Sequence, residues 1–232
     1  MFKFILLLAV IGLAAVGLMG GSVNSYLVGD AETELPLPEP PDIVATKAIY
    51  ITAHTALSRR LENIINLIKE TDLNSLVVDV KDDHRSFLTP EMARVARRLR
   101  FARIYPIARL PVFQHNGLAQ SHQQLAIKTA DGRLWRDSGG RFWLDPASAE
   151  VWQLILAEAR QAARMGFLEI NLDYIRFPSD GRLEETVYPF WDKKKSRQEV
   201  INEFARFLAS RLKEEFPKVQ VTADVFGYLL LR

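Results

Sequence analysis

The sequence predicts an α/β protein: the first five strand–helix units of a (β/α)8 barrel, the TIM-type architecture, preceded by a hydrophobic amino-terminal helix. Two observations lead to the barrel prediction. Short β-rich runs alternate with amphipathic helical runs, which is typical of parallel βα architecture. Each β-rich run also has one apolar face, while the opposite face is repeatedly polar. The separate helix is predicted by an uninterrupted apolar run near the amino end.

Residues 1–29 are predicted to lie outside the folded domain, as a signal peptide or a membrane anchor. Lys3 precedes an apolar run at 4–19, and the next charged residue is Asp30. The length of this run lies between a long signal-peptide core and a short membrane-spanning helix. Small residues are poorly placed for cleavage after the run, which favours an uncleaved anchor through residues 4–20. We therefore expect an extracytoplasmic protein that is membrane-anchored or secreted.

Residues 30–45 are predicted to form a spacer rich in proline and glutamate. Pro36, Pro38 and Pro40 occur at alternate positions, which holds the chain in an extended, semi-rigid conformation. Such a segment cannot build a hydrophobic core. The folded domain is therefore predicted to occupy residues 46–232, as the amino-terminal part of the barrel.

Five runs rich in β-branched and aromatic residues are predicted to be parallel strands. They are residues 47–53, 74–80, 104–112, 168–174 and 219–225. In the fourth run Glu169, Asn171 and Asp173 alternate with apolar residues, and the fifth shows the same alternation up to Asp224. An open parallel sheet with helices on both sides would be apolar on both faces. A polar second face therefore favours the lumen of a barrel.

The helices between these strands carry their own start and stop signals. Thr89 and Asp145 each precede a proline, and we interpret both as helix N-caps. Asp145 is thus read as a cap although its carboxyl group is of a catalytic type. Ser196 and Glu199 have the spacing of a capping box, and Gly166 marks the end of the fourth helix.

Composition excludes several classes of function. Thirty basic residues against 28 acidic ones give a net charge of +2, which is too balanced to indicate a nucleic-acid partner. A cluster of arginines at helical spacing is interpreted as a solvated helix face: Arg94, Arg97, Arg98 and Arg100. The absence of cysteine excludes disulfides and thiolate chemistry. The four histidines form no H-E-x-x-H or H-x-H pair, and we expect no cofactor.

Charged residues recur near the carboxyl ends of the predicted strands, where the active sites of barrels lie. They are Asp79, Arg109, Asp173 and Asp224. Burying several charges is unfavourable by several kcal/mol each unless they are paired. One interpretation is that Arg109 merely neutralises the aspartates. The preferred interpretation is a functional site.

Six short stretches of the folded region carry a resemblance to a known family. They are KAIYITA at 47–53, VVDVKDD at 77–83, LWRD at 134–137, FWLDP at 142–146, LDYIRFP at 172–178 and TADVFG at 222–227. Together they resemble a bacterial family of glycoside-hydrolase-like domains known mainly as a domain of unknown function. The resemblance implies a TIM-type barrel and carbohydrate hydrolysis. After the third strand, Gln114 and His115 stand where an acidic residue is expected, so no catalytic role is assigned to that loop.

Glycoside hydrolysis needs two carboxylates. Asp173 is predicted to be the nucleophile or charge stabiliser, because it faces the lumen and ends the fourth strand. The alternative for Asp173 is a structural ion pair with Arg109 or Arg176. Asp224 lies at the same level on the neighbouring strand, about 4.8 Å away, and is predicted to be the acid/base. The true acid could also lie on another strand.

Seven further residues are assigned to substrate binding: Asp79, Lys81, Arg109, Tyr174, Arg176, Trp135 and Trp143. Asp79 and Lys81 would bind sugar hydroxyls, with a lumen salt link as an equal alternative. Trp135 and Trp143 would stack on sugar rings, although aromatic residues of loops are more often buried anchors.

The sequence therefore predicts a glycosidase that acts on a polysaccharide or cell-wall glycan. One alternative is a non-catalytic glycan-binding module that uses the same cleft. Another is a metal-dependent hydrolase, whose ligands would come from His54, His84, His115, Asp79, Asp82 and Asp83. Only five of the eight strands of a barrel are visible after Thr46. We accordingly expect a fragment that is poorly soluble or inactive in isolation.

Overall fold

The computed structural model of this chain describes residues 36–41 and 45–225. The predicted signal peptide or anchor at 1–29 lies outside the described residues, as does the part of the predicted spacer before residue 36. None of the helices in the described part of the chain is long and apolar enough to cross a membrane.

Five parallel strands form one sheet, in which they lie side by side in their order along the chain. The strands are β1 (Ala48–Ile51), β2 (Ser75–Asp79), β3 (Tyr105–Pro111), β4 (Glu169–Asp173) and β5 (Gln220–Ala223). Each lies within one of the five predicted runs. Consecutive strands that pair in parallel require a crossover between them, and this is the strand arrangement of successive units in a barrel. The prediction of an α/β fold with five parallel strands is confirmed.

Helices fill the connections between the strands. They are α1 (Ala53–Ala56), α2 (Arg60–Lys69), α3 (Pro90–Phe101), α4 (Asn116–Ser121), α5 (Ala149–Arg164) and α6 (Arg197–Glu215). Two short 3-10 helices lie at Gln123–Leu125 and Leu183–Glu185. The longer helices bury apolar faces in one core with the sheet, as Ile65 of α2, Ile155 of α5 and Leu208 of α6 illustrate.

The two faces of the sheet differ as the alternation predicted. Ile170 and Leu172 of β4 are fully buried in the core, whereas Glu169, Asn171 and Asp173 lie on the other face and are partly exposed. We call this second face, which a barrel would enclose, the inner face. Towards the amino ends of the strands it carries a separate apolar cluster that contains Tyr105 and Ile107, beside the charged residue Glu169. Towards the carboxyl ends it is charged.

Three of the predicted helix signals are confirmed. The hydroxyl of Thr89 accepts a hydrogen bond from the Met92 amide at the start of α3. Ser196 and Glu199 form a capping box at α6. Gly166 follows the end of α5 with φ +103°, a left-handed conformation that glycine adopts without strain.

The interpretation of Asp145 as a helix cap is wrong. Helix α5 begins at Ala149, and its cap is Ser148, whose hydroxyl accepts from the Val151 amide at 3.3 Å. Asp145 instead accepts hydrogen bonds from the Phe190 and Trp191 amides, at 2.7 and 3.0 Å. The chain makes an extra turn between Pro146 and the start of α5. The carboxylate of Asp145 therefore binds the loop that follows β4.

The end of the predicted spacer lies against the amino-terminal side of the sheet. Residues from Leu37 onward belong to the same compact unit as the strands. Arg100, at the carboxyl end of α3, donates to the main-chain oxygens of Pro38 and Gly166, and Glu39 pairs with Lys218 at 2.9 Å. Arg100 is only 7% exposed. It is therefore not part of the solvated arginine face that the sequence indicated.

Candidate active site

The strand register brings the predicted site residues to one edge of the sheet. Asp79 on β2 lies opposite Arg109 on β3, and Asp173 on β4 lies opposite Pro111 of β3. Because all strands run in the same direction, their carboxyl ends meet at this edge. Arg109 pairs with Asn171, two residues before Asp173 along β4. Its long side chain spans this distance towards the carboxyl end of the strand.

Arg109 bridges two aspartates on the strands to either side of it. Its Nε and Nη2 donate to Oδ2 of Asp173, with an Nε–Oδ2 distance of 3.0 Å, and its Nη1 donates to Oδ1 of Asp79 at 2.7 Å. The Asp79 side chain is 9% exposed, and those of Arg109 and Asp173 are 21% exposed. Burial disfavours the charged guanidinium, but the hydrogen bond to Asp79 and the charge of Asp173 outweigh it and raise the pKa of Arg109.

Tyr50 on β1 extends this network, and the sequence reasoning missed it. Its hydroxyl donates to Oδ2 of Asp79 at 2.5 Å, and its ring centroid lies 5.5 Å from the guanidinium carbon of Arg109. Burial and the hydrogen bond to Asp79 raise the pKa of Tyr50 to about 12. The available signal was the strand alternation, which places Tyr50 on the inner face.

The second oxygen of Asp173 is engaged by the residue that follows it. Oδ1 accepts from the Tyr174 amide at 2.6 Å, and Tyr174 has φ 52°. A left-handed conformation is unusual for a residue that is not glycine. The Tyr174 ring packs edge-on against Trp143 with centroids 6.1 Å apart, and its hydroxyl accepts from Arg141 at 3.4 Å. These contacts hold Tyr174 in place at the end of β4.

Asp224 lies beside Asp173 on the neighbouring strand. Its amide donates to the main-chain oxygen of Leu172 at 2.9 Å, which continues the β4–β5 register by one residue. Its Oδ1 accepts from the side-chain amide of Asn171 at 3.2 Å, and the residue is exposed. Asn171 was not predicted as a site residue, although its alternation with Asp173 indicated the same face.

Two depressions share Arg109 in their lining. A pocket of about 250 Å³ is lined by Asp79, Asp82, Asp83, His84, Arg109, Pro111 and Tyr174. A larger one of about 500 Å³ extends along the inner face and includes Tyr50, Arg109, Asn171 and Asp224. The candidate site is therefore an open cleft, with aspartates on both sides of one arginine.

Lys81 lies away from this cleft. Its ammonium group is fully buried and pairs with Glu158 of α5 at 2.7 Å. Burial lowers the pKa of Lys81, although the charge of Glu158 opposes the shift. This placement does not support substrate binding by Lys81. The alternative of a salt link in the lumen is not found either, because the partner of Lys81 lies in helix α5.

The two predicted stacking tryptophans are loop anchors. Trp135 is 2% exposed and Trp143 is fully buried. The indole of Trp135 donates to the main-chain oxygen of Arg182 at 3.0 Å, and that of Trp143 donates to the carboxylate of Asp137 at 2.9 Å. Both residues support the loops around the cleft and present no open ring face to it. Trp135 and Trp143 are thus buried anchors of loops, which was the alternative to stacking on sugar rings.

Arg176 also supports a loop. Its guanidinium carbon lies 4.9 Å from the ring centroid of Trp143, and it donates to the hydroxyl of Ser179 at 2.9 Å. These contacts fix the segment after β4 that contains the DYIRFP motif. The motif therefore combines Asp173, which binds Arg109 at the end of β4, with residues that shape the loop behind it.

Two side chains of the loop after β3 are engaged in contacts within the protein. Gln114 donates to the buried carboxylate of Asp137 at 2.9 Å. His115 caps α4 by accepting from the Leu118 amide at 2.8 Å. Burial and the charge of Lys81 lower the pKa of His115 to about 3. Among the residues that the structure describes, no three histidine, aspartate or glutamate side chains converge on a point that could hold a metal ion.

The fold is an α/β fold with one parallel five-stranded sheet, and charged residues meet at the carboxyl ends of its strands. The chain belongs to the family described as "putative glycosyl hydrolase domain", whose model matches residues 48–231. The resemblance found in the sequence motifs is thereby confirmed. No protein of curated function matches the sequence.

Solved structures share the fold of this chain. A hypothetical protein from Ruminiclostridium thermocellum ATCC 27405 is 31% identical, with a TM-score of 0.66 over 77% of this chain and 98% of that chain. An α-galactosidase from Lactobacillus brevis is 16% identical, with a TM-score of 0.55 over 77% of this chain and 27% of the enzyme. An α-amylase from Lactobacillus plantarum is 11% identical, with a TM-score of 0.58 over 80% of this chain and 46% of the enzyme. The two enzymes show that the fold is shared with glycosidase barrels.

Proposed function

We propose that this chain is a glycoside hydrolase that cleaves a polysaccharide or cell-wall glycan with Asp173 and Asp224. The observation that carries the proposal is the placement of these two carboxylates. They occupy matching register positions at the carboxyl ends of neighbouring strands, and Asp173 is bound by an arginine. Neighbouring strands lie about 4.8 Å apart, which is compatible with the separation of about 5–5.5 Å that retaining glycosidases use.

The surroundings of the two carboxylates support different roles for them. Asp173 accepts two donors of Arg109, which place a fixed positive charge beside its carboxylate. This suits the nucleophile, or the charge that stabilises a cationic sugar carbon. Asp224 is exposed and is held by the neutral amide of Asn171. This suits a group that gives a proton to the leaving oxygen and later takes one from water.

The shape of the cleft supports a carbohydrate as the ligand. The depression of about 500 Å³ along the inner face is lined by Arg109 and Asp224 and would take the sugar residue at the cleavage point. The pocket of about 250 Å³ on the other side of Arg109 would leave room for the next residue of a polymer. Hydroxyl groups of sugars can both donate and accept hydrogen bonds, so they suit a cleft lined by carboxylates.

A glycan-binding module without turnover is the second candidate function. The observation that favours it is that both oxygens of Asp173 accept hydrogen bonds within the protein. A carboxylate held in this way could serve as a structural partner of Arg109 while the cleft only binds sugar. Binding of an oligosaccharide without release of reducing ends would support this alternative.

Export with membrane tethering or secretion is proposed from the apolar run at 4–19. Fractionation of cells that express the chain tests this proposal. We expect recovery with the membrane or outside the cell. Recovery in the cytosol with an intact amino terminus would contradict it.

The hydrolase proposal is tested by measuring the release of reducing ends over a library of glycans. We expect the protein with all strands of the barrel present to release reducing ends from at least one glycan, and Asp224→Asn in the same protein to lose that activity with an unchanged circular dichroism spectrum. Asp72→Asn changes an aspartate whose side chain is 95% exposed and serves as the control. Equal turnover by Asp224→Asn and Asp72→Asn would remove Asp224 from the proposed mechanism.

A further inference from the structure

Both carboxylate oxygens of Asp79 are engaged within the protein. Oδ1 accepts from Arg109 at 2.7 Å, and Oδ2 accepts from Tyr50 at 2.5 Å. Only 9% of the Asp79 side chain is exposed. A sugar hydroxyl would have to displace one of these two donors in order to bind Asp79. The geometry therefore argues against the expectation that Asp79 binds the substrate.

The two partners of Arg109 fix its orientation together. A guanidinium group presents its donors in a rigid planar fork. When Nη1 is bonded to Asp79, the edge that carries Nε and Nη2 faces Asp173. Without Asp79, the guanidinium could rotate about its side-chain torsions and still keep one bond to Asp173. Asp79 therefore determines which edge of Arg109 meets Asp173.

We propose that Asp79 and Tyr50 are positioning residues, which act on Asp173 through Arg109 and make no contact with the sugar. This inference rests on the proposed function, in which the orientation of the Asp173 carboxylate matters for the reaction. Tyr50 holds the oxygen of Asp79 that faces away from Arg109, and so prevents Asp79 from turning. The chain of contacts runs across strands β1, β2, β3 and β4.

The first test follows Arg109 directly and needs no substrate. The Nε hydrogen of Arg109 can be identified in ¹⁵N–¹H spectra by its loss in Arg109→Lys. We expect Tyr50→Phe to speed the exchange of this hydrogen with water about fivefold, as the loss of one hydrogen bond implies. Tyr50 is 52% exposed, so the variant is expected to fold. Unchanged exchange in Tyr50→Phe would overturn the positioning role.

Tyr105→Phe is the matched control for this measurement. Tyr105 lies on the inner face of β3, and its hydroxyl donates to the main-chain oxygen of Leu168 at 3.3 Å. It lies outside the contacts that join Tyr50 to Asp173. We expect Tyr105→Phe to leave the exchange of the Arg109 hydrogen at the wild-type rate. Faster exchange in both variants would point to general loosening of the sheet and contradict the specific role of Tyr50.

The second test is a double-mutant cycle on turnover. We expect Asp79→Asn to lower kcat about tenfold while KM changes less than about twofold. In the Arg109→Lys background, the same change should have little further effect, because Asp79 acts through Arg109. If Asp79 contacted the sugar, Asp79→Asn would raise KM. Its effect on kcat/KM would then multiply with that of Arg109→Lys. If wild-type protein cleaves no glycan, the proposed function fails, whereas the exchange measurement still decides the positioning role.

Discussion

Arg109 on β3 and Asp173 on β4 are joined by a hydrogen bond of 3.0 Å between Nε and Oδ2, at the carboxyl-terminal edge of the sheet. The same guanidinium also binds Asp79 on β2. One cation thus serves two carboxylates that would otherwise repel each other across the cleft. The stability of the sheet edge and the geometry of the proposed site depend on the same side chain.

Arg109→Met is expected to destabilise the protein by about 3–5 kcal/mol, because it leaves two partly buried carboxylates without their cation. Urea unfolding followed by circular dichroism measures this. Arg109→Lys keeps the positive charge but lacks the planar fork, so we expect a smaller loss of stability together with a clear loss of kcat. Arg133→Met, at a side chain that is 81% exposed, is the control. Unfolding of Arg109→Met at the wild-type urea concentration would show that the pairs contribute nothing.

Asp145→Asn is expected to lower stability by about 1–3 kcal/mol, although asparagine is a good helix cap. In the structure Asp145 is no cap, and its Oδ2 accepts from the Phe190 and Trp191 amides. If asparagine places its NH2 group at the position of Oδ2, this group and the two backbone amides are all hydrogen-bond donors, and no bond can form between them. Thermal unfolding measures the effect, with Asp72→Asn as the control. A melting temperature equal to that of wild type would contradict this role of Asp145.

His115 is expected to make the protein sensitive to acid. Its pKa is lowered to about 3 in the folded state, whereas a histidine in the unfolded chain titrates near 6.5. As the pH falls below about 6.5, the unfolded state takes up a proton that the folded state rejects, so stability decreases down to about pH 3. At pH 7 this contribution is absent.

Urea unfolding between pH 7 and pH 4 tests the role of His115. His115→Asn keeps an acceptor for the Leu118 amide and removes the titrating ring, so it should lose less stability on acidification than wild type does. His122→Asn, at a partly exposed histidine of the same loop, is the control. An identical decline in wild type and His115→Asn would rule out His115 as the cause.

Arg100→Met is expected to release residues 37–40 from the amino-terminal side of the sheet. The guanidinium of Arg100 donates to the main-chain oxygens of Pro38 and Gly166, and methionine can replace neither bond. Limited proteolysis should cut near residue 40 earlier than in wild type. Arg94→Met changes an exposed arginine of the same helix and should leave the cleavage rate unchanged. Equal cleavage in both variants would show that Arg100 does not hold this segment.

Local patterns were sufficient to predict the strands and the face that each side chain occupies. The alternation of Glu169, Asn171 and Asp173 with buried residues is a property of the strand itself, so it can be read directly from the sequence. The signals at Thr89 and Ser196 act over one helical turn and were equally local. These features therefore agree between sequence and structure.

The incorrect interpretations concern residues whose partners lie far away along the chain. Strand β2 ends at Asp79, so the alternation does not extend to Lys81, which meets Glu158 across 77 positions. Asp145 meets the Phe190 amide across 45 positions. The pairing of Tyr50 with Asp79 depends on the β1–β2 register, which no local pattern specifies. Long-range packing decided each of these cases.

In the proposed mechanism, the carboxylate of Asp173 stabilises the transition state. The most direct test is the turnover of Asp173→Asn on a glycan that wild type cleaves. Loss of the charge that stabilises an oxocarbenium-like transition state should lower kcat by roughly a thousandfold or more. We expect this loss with a circular dichroism spectrum close to that of wild type and a lowered melting temperature, because the NH2 group of asparagine must face either Arg109 or the Tyr174 amide. A folded Asp173→Asn that turns over the glycan at the wild-type rate would contradict the account, and an unfolded one would make Asp173 a structural partner of Arg109.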